Sequence, residues 1–259
     1  MDSKPVVLVT GAAQRIGREI ALDLAAHGWR VAVHYRNSAA AAAQTVAAVR
    51  EAGGQAMSVC ADLSIEAECL GLVPAVVQGF GRIDAVVNNA SLFEYDDVAS
   101  FSQAAMERAW RANTAPAILL ARALHAHVAE PTGHHAVINL LDQKLWNPNP
   151  DYFSYSLSKA ALEAATTMLA QALAPKLRVC GVAPGVTMLS GEMSGSEFAA
   201  SHRMTPLQRS STPQDVARAV RFLLESPAIT GTTLLVDGGQ HLQPQSRDVM
   251  ILARDKKED

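Results

Sequence analysis

The sequence predicts a single-domain α/β fold in which a doubly wound, seven-stranded parallel sheet is flanked by helices. Three observations predict it. Seven short apolar runs alternate with helical periodicities along most of the chain. The runs are continuously apolar, as strands buried on both faces of a parallel sheet must be. The length, 259 residues, suits one large domain with a substantial core.

The elements follow in order. Residues 6–10 read as a strand and 15–27 as a helix. A strand at 31–36 leads to a helix at 39–52, and one at 57–61 to a helix at 66–80. The strand at 85–89 precedes helical stretches across 102–128, and that at 136–141 precedes a helix over 155–174. A strand at 178–183, a helix at 213–224 and a strand at 233–236 complete the set. Right-handed crossovers wind such a series into a Rossmann-type sheet. No repeat or linker interrupts it, so residues 1–259 are expected as one domain. The rhythm breaks at 186–205, a Ser-, Gly- and Met-rich stretch expected as a mobile substrate lid, with Met188, Met193 and Met204 either as its adaptable surface or, equally, as core packing. Residues 243–259 are polar and charged and are expected as a peripheral tail.

Composition narrows the function. Hydrophobic residues make up 49% and charged residues 18%, a globular balance. A formal net charge of −3 argues against a nucleic-acid groove. No apolar stretch is long and charge-free enough to span a bilayer, so no membrane association is expected. Met1-Asp2-Ser3-Lys4 leads straight into a strand-like run with no signal-peptide pattern, which points to the cytoplasm. Cys60, Cys69 and Cys180 lie far apart and are expected as reduced, mostly buried thiols. His125 with His127, and His134 with His135, lack ligand spacing, so no metal site is expected.

Four local patterns carry chemistry. Thr10-Gly11-Ala12-Ala13-Gln14-Arg15-Ile16-Gly17 joins the first strand to the first helix, where main-chain amides face a pyrophosphate and glycine admits close approach. The end of the second strand, His34-Tyr35-Arg36-Asn37-Ser38, holds no acid for a ribose 2′-hydroxyl. Arg36 can fork onto a 2′-phosphate, with Asn37 and Ser38 as neutral donors, so NADPH is favoured over NADH. Tyr155 and Lys159 stand four apart and share a helix face. An ammonium there is expected to lower the phenol pKa. Asp142, thirteen residues before Tyr155, is an acceptor close to the same centre, with a turn-capping role as the alternative.

These motifs resemble the short-chain dehydrogenases/reductases over about residues 5–242. The family's turn reads T-G-x-x-x-G-x-G. Here Arg15 replaces the middle glycine, as in the pteridine reductase branch. The resemblance implies that Asp62-Leu63 contacts the adenine and that Asn88-Asn89-Ala90, followed by Ser91 in place of glycine, floors the cofactor cleft. It implies that Asn113 extends a proton relay through water, that Tyr155 handles the proton and that Lys159 holds the nicotinamide ribose. Pro184-Gly185 would hold the nicotinamide end, with Thr187 donating to its carboxamide. Arg15, Ser91, Phe93 and Asp142 are four departures from the general family that converge on one branch, in which the phenylalanine lies over a pterin.

A serine in ordinary members polarises a carbonyl. An ionised carboxylate at Asp142 cannot donate to an oxygen gaining negative charge. A pterin C=N bond suits it, because a nitrogen must be protonated and the ring's N–H groups are donors. The resemblance therefore implies an NADPH-dependent pteridine reductase acting on dihydrobiopterin, dihydromonapterin and, by extension, dihydrofolate. It implies a homotetramer formed through the helices carrying Asn113 and Tyr155. A carbonyl or 3-oxoacyl-thioester reductase is the alternative, and an NADPH-binding sensor the non-enzymatic one.

Overall fold

The seven apolar runs pair as one sheet, entirely parallel, in the order β3-β2-β1-β4-β5-β6-β7. The strands are β1 (Val6–Val9), β2 (Arg30–Tyr35), β3 (Gln55–Cys60), β4 (Ala85–Asn88), β5 (Ala136–Leu140), β6 (Arg178–Pro184) and β7 (Thr233–Val236). The computed structural model describes residues 4–129, 134–190 and 193–255. The opening Met1-Asp2-Ser3, two residues of the expected lid and the last four of the expected tail lie outside them.

Period-two geometry divides the core between two faces. Val7 and Val9 join Ile20, Leu24, Val46, Val220 and Leu223 on one side, against α1 (Arg15–Ala26), α2 (Ala39–Glu51) and α8 (Pro213–Glu225). Val6 and Leu8 join Leu72, Val76, Leu120, Leu124 and Ala170 on the other, against α3 (Glu66–Phe80), α5 (Ala115–His127) and α6 (Phe153–Ala172). The sheet order reverses between β1 and β4, and that switch point opens a crevice at the carboxyl ends of the strands.

The long helical stretch after β4 is not uniform. α4 (Gln103–Ala109) passes through a π turn, Trp110–Thr114, into α5. Pro116 has no N–H to offer the Ala112 carbonyl, which favours a widened turn there. The turn carries Asn113. Among the described residues no helix is long and apolar enough to cross a membrane.

Two segments differ from expectation. Within 186–205, read as a mobile insertion, stands α7 (Gly195–Arg203), entered through a reciprocal capping box between Ser194 and Glu197. The capping pair was present in the sequence but was outweighed by the small residues around it. Where a peripheral tail was expected, α9 (Val249–Asp255) packs against α7 and buries Val249 and Ala253. Of the cysteines, Cys69 and Cys180 are buried as expected, whereas Cys60 at the end of β3 is exposed.

Candidate active site

The turn between β1 and α1 is shaped by close contacts. Gly11 has φ +62°, and a Cβ there would stand 3.0 Å from the Ala90 Cα. A Cβ on Gly17 would fall 2.4 Å from the Gly11 carbonyl oxygen and 2.5 Å from Asn89 Nδ2. Asn89 Nδ2 donates to the Thr10 carbonyl at 2.9 Å, and Thr10 Oγ1 accepts from the amides of Asn89 and Ala90 at 2.9 and 3.0 Å. The β4 turn therefore braces the β1 turn. His34 was not singled out by its sequence pattern, yet its Nδ1 accepts from the Gly11 amide at 3.1 Å. That bond makes Nε2 the donor to the Ala61 carbonyl, at 3.1 Å. Burial lowers the His34 pKa and keeps the ring neutral, as this arrangement needs.

The residues around this turn fit a phosphorylated dinucleotide. The N-cap residue of α1, Gln14, makes no side-chain cap bond and no acid lies in the first turn, whereas α8 is closed by the Thr212–Asp215 box. An uncapped helix start with its amides aimed into a crevice suits an anion. Tyr35 ends β2, Ser38 flanks the start of α2, and Asn37 lies between Ser38 and the exposed Arg36. Arg36 stands 4.0 Å from Asp62, whose Oδ1 is taken by the Ser64 amide and hydroxyl. Those bonds hold the Asp62 carboxyl below its usual range. Leu63 packs partly buried beside it. Across the crevice, Thr187 is buried after Pro184-Gly185, its hydroxyl bonded to the Gly185 carbonyl at 2.8 Å and to Ser211 at 2.6 Å. Arg15 adopts φ +57°, the left-handed region that favours glycine, and donates to the Leu189 carbonyl at 2.8 Å. It ties the β1 turn to the segment after β6.

The reacting centre lies where β5 ends and α6 begins. Tyr155 and Lys159 are buried on one face of α6. The Tyr155 hydroxyl donates to Asp142 Oδ2 at 2.8 Å. Oδ1 of the same carboxylate accepts from the Lys144 amide at 2.9 Å, capping the 3-10 turn Gln143–Trp146. The two readings of Asp142, turn cap and partner of the tyrosine, hold together, one per oxygen. Lys159 Nζ donates to the Leu140 carbonyl at 2.6 Å. Burial holds its pKa down to about 8 against the opposing pull of Asp142.

The expected lowering of the phenol pKa is reversed. Burial and the adjacent Asp142 push Tyr155 well above its ordinary value, and Lys159, 5.8 Å from the ring centroid, does not offset them. Asp142 is likewise raised by burial, against bonds from the Lys144 amide and Tyr155. Both shifts favour the protonated forms. With Asp142 ionised, the phenol proton is committed to it. With Asp142 protonated, its hydroxyl can donate to the Tyr155 oxygen and free the phenol proton for a ligand.

Asn113 holds this centre together. Its Oδ1 accepts from the Leu92 amide at 2.7 Å and Ser91 Oγ at 3.2 Å. Its Nδ2 donates to the Leu92 carbonyl at 3.0 Å and Ser158 Oγ at 2.9 Å. All four positions of the amide are filled, which leaves the side chain no free group for the expected water relay. Phe93 stands beside Tyr155, centroids 4.7 Å apart and edge to face. One of its faces is taken by Tyr152, stacked at 4.1 Å. Trp146 is partly exposed at the end of the 3-10 turn. The sequence reading missed Tyr152, Lys144 and Asp151; the left-handed φ of +55° at Tyr152 has no signal in its residue type.

Comparison with known proteins follows the same lines. A family model described as enoyl-(acyl carrier protein) reductase matches residues 11–241. A crystal structure of FolM alternative dihydrofolate reductase 1 from Brucella canis, complexed with NADP, superposes with a TM-score of 0.89 at 39% identity, covering 96% of this chain and 98% of that one. Pteridine reductase 1 of Leishmania tarentolae is 34% identical, covering 92% of this chain and 96% of its own. A putative ketoacyl reductase of granaticin polyketide synthesis from Streptomyces violaceoruber is 36% identical, with the same coverages.

Proposed function

The chain belongs to the short-chain dehydrogenase/reductase family of oxidoreductases, and from that premise we propose that it is an NADPH-dependent pteridine reductase. Its substrates are dihydropterins, with dihydrobiopterin, dihydromonapterin and dihydrofolate as the candidates. The observation that carries the reading is the hydrogen bond from the Tyr155 hydroxyl to Asp142. A carbonyl reductase needs donors converging on an oxygen that gains negative charge. Here one of the two groups is a carboxylate and the other spends its proton on it. A C=N bond asks for a proton on nitrogen, which a protonated Asp142 supplies through Tyr155.

NADP(H) is the cofactor, in keeping with the NADP complexes of similar structures, the uncapped α1 start and the acid-free end of β2. When bound, NADPH supplies the hydride. Arg36, with Asn37 and Ser38, would hold the 2′-phosphate; the amides of Ile16 and Gly17 the pyrophosphate; Lys159 the nicotinamide ribose. Phe93 and Ser91, with Arg15, would line the substrate side. The proposed assembly is a homotetramer in the cytoplasm. Leu157 and Met168 on α6 and Trp110 beside α4 are exposed apolar residues on the helices that would pair, and light scattering tests the mass.

A 3-oxoacyl-thioester reductase is the second reading, favoured by the ketoacyl reductase relative. NADPH consumption against a panel of dihydropterins, dihydrofolate, ketones and 3-oxoacyl thioesters separates the two. Turnover confined to the carbonyl compounds would reject the pterin assignment, and cofactor binding without turnover of any compound would favour the sensor.

A further inference from the structure

The C-terminal segment is built into the proton-transfer centre. Arg247 Nε donates to both carboxylate oxygens of Asp151, at 3.0 and 2.9 Å, and the Asp248 amide donates to Asp151 Oδ2 at 2.7 Å. Asp151 is 1% exposed. The Asp248 carboxylate accepts from the Met250 amide at 3.0 Å through one oxygen. Its other oxygen meets Lys144 Nζ at 3.1 Å. Lys144 is 4% exposed, and its ammonium also donates to the Asp151 main-chain carbonyl. The backbone amide of the same lysine holds Asp142. A single residue thus bonds the reacting carboxylate through its main chain and the C-terminal segment through its side chain.

We propose that Asp248 and Lys144 are positioning residues that set the orientation and protonation of Asp142, so that docking of the C-terminal segment completes the proton-transfer pair. A buried ammonium needs its counter-charge, and removing either partner leaves the other uncompensated. The charged and titratable groups facing Asp142 are Tyr155 and Lys159 from α6, Lys144 from the 3-10 turn, and Asp248 from the segment ahead of α9. Asp248 favours the protonated carboxyl and Lys144 the ionised one. The pair balances two opposite influences on one acid. The proposal rests on the pteridine reductase reading only for the destination of the proton.

Opposite charge deletions test it. Asp248→Asn leaves the ammonium unopposed and should move the Asp142 midpoint down. Lys144→Gln leaves the carboxylate unopposed and should move it up. Each shift is expected to be about half a pH unit or more. The full chain, labelled with ¹³C at aspartate carboxyls, is titrated by NMR, with Asp142 assigned by the loss of its signal in Asp142→Asn. Asp248→Glu, which keeps the charge, should restore the midpoint. Shifts of the same sign in both variants, or none, would overturn the proposal, since mere loosening of the segment moves both alike. If one variant does not fold, the sign of the other decides. The titration needs no turnover, so a failed pterin assay rejects the functional reading without touching this one. In the active enzyme the alkaline limb of kcat should follow the same two signs.

Discussion

Replacing Asp142 with asparagine keeps the side chain's size and removes its ability to exchange a proton. The amide oxygen can still accept from the Lys144 amide, now bonded at 2.9 Å, and the NH₂ group then faces the Tyr155 oxygen, now at 2.8 Å. The centre keeps its geometry but loses the acid that replenishes Tyr155. A positioned acid–base group contributes about 10²–10⁴-fold, so kcat for a dihydropterin should fall by that factor, about 2.7–5.4 kcal/mol of barrier. Single-turnover NADPH oxidation reads this directly, with KM and the NADPH dissociation constant nearly unchanged. Stability should move the other way. The folded pKa of Asp142 lies above its ordinary value, so the folded state binds more protons and wild-type stability falls as pH rises from the ordinary carboxylate range through the raised pKa. Asparagine removes that loss. The variant should melt higher than wild type at neutral pH, with the gap closing in acid. A kcat loss smaller than about tenfold would refute the assigned proton route.

Arg36→Ala should lower kcat/KM for NADPH by about tenfold to a hundredfold, the worth of a charged hydrogen bond, and leave NADH unaffected; equal losses for both cofactors would remove Arg36 from the 2′-phosphate site. Gly17→Ala places a methyl against the Gly11 carbonyl and Asn89, and should cost about 1–3 kcal/mol, read as a lower Tm, together with weaker NADPH binding. Lys159 is buried, with its pKa held at about 8 against an ordinary 10.5. The unfolded chain binds more protons between those values, so this group makes stability rise with pH across that window, by about 3 kcal/mol. Comparing Lys159→Met with wild type by denaturant titration across the same window should show the variant failing to gain it.

The order of elements was legible because each strand is centred on a short apolar run, such as Val6–Val9, and each helix carries its own periodicity. The helix at Glu66–Phe80 and the strand at Thr233–Val236 have the bounds read from sequence, and the other strand ends shift by one or two residues. Glycine at positions 11 and 17, the missing acid after β2 and the four-residue spacing of Tyr155 and Lys159 are local facts, and local facts survive in a sequence. The docked C-terminal helix was not legible. Its short apolar face gains meaning only from α7, and the Lys144–Asp248 contact joins residues 104 apart.

The sequence by itself determined the sheet, the glycine turn after β1 and the nearness of Tyr155, Lys159 and Asp142 to its switch point, since chain order and crossover handedness leave little choice once the strands are known. Only the tertiary structure decided the protonation of that centre. Whether a lysine lowers a tyrosine's pKa, or burial and a carboxylate raise it, depends on distances and desolvation. Those belong to the packed molecule, and here they reversed the direction that residue types alone suggested.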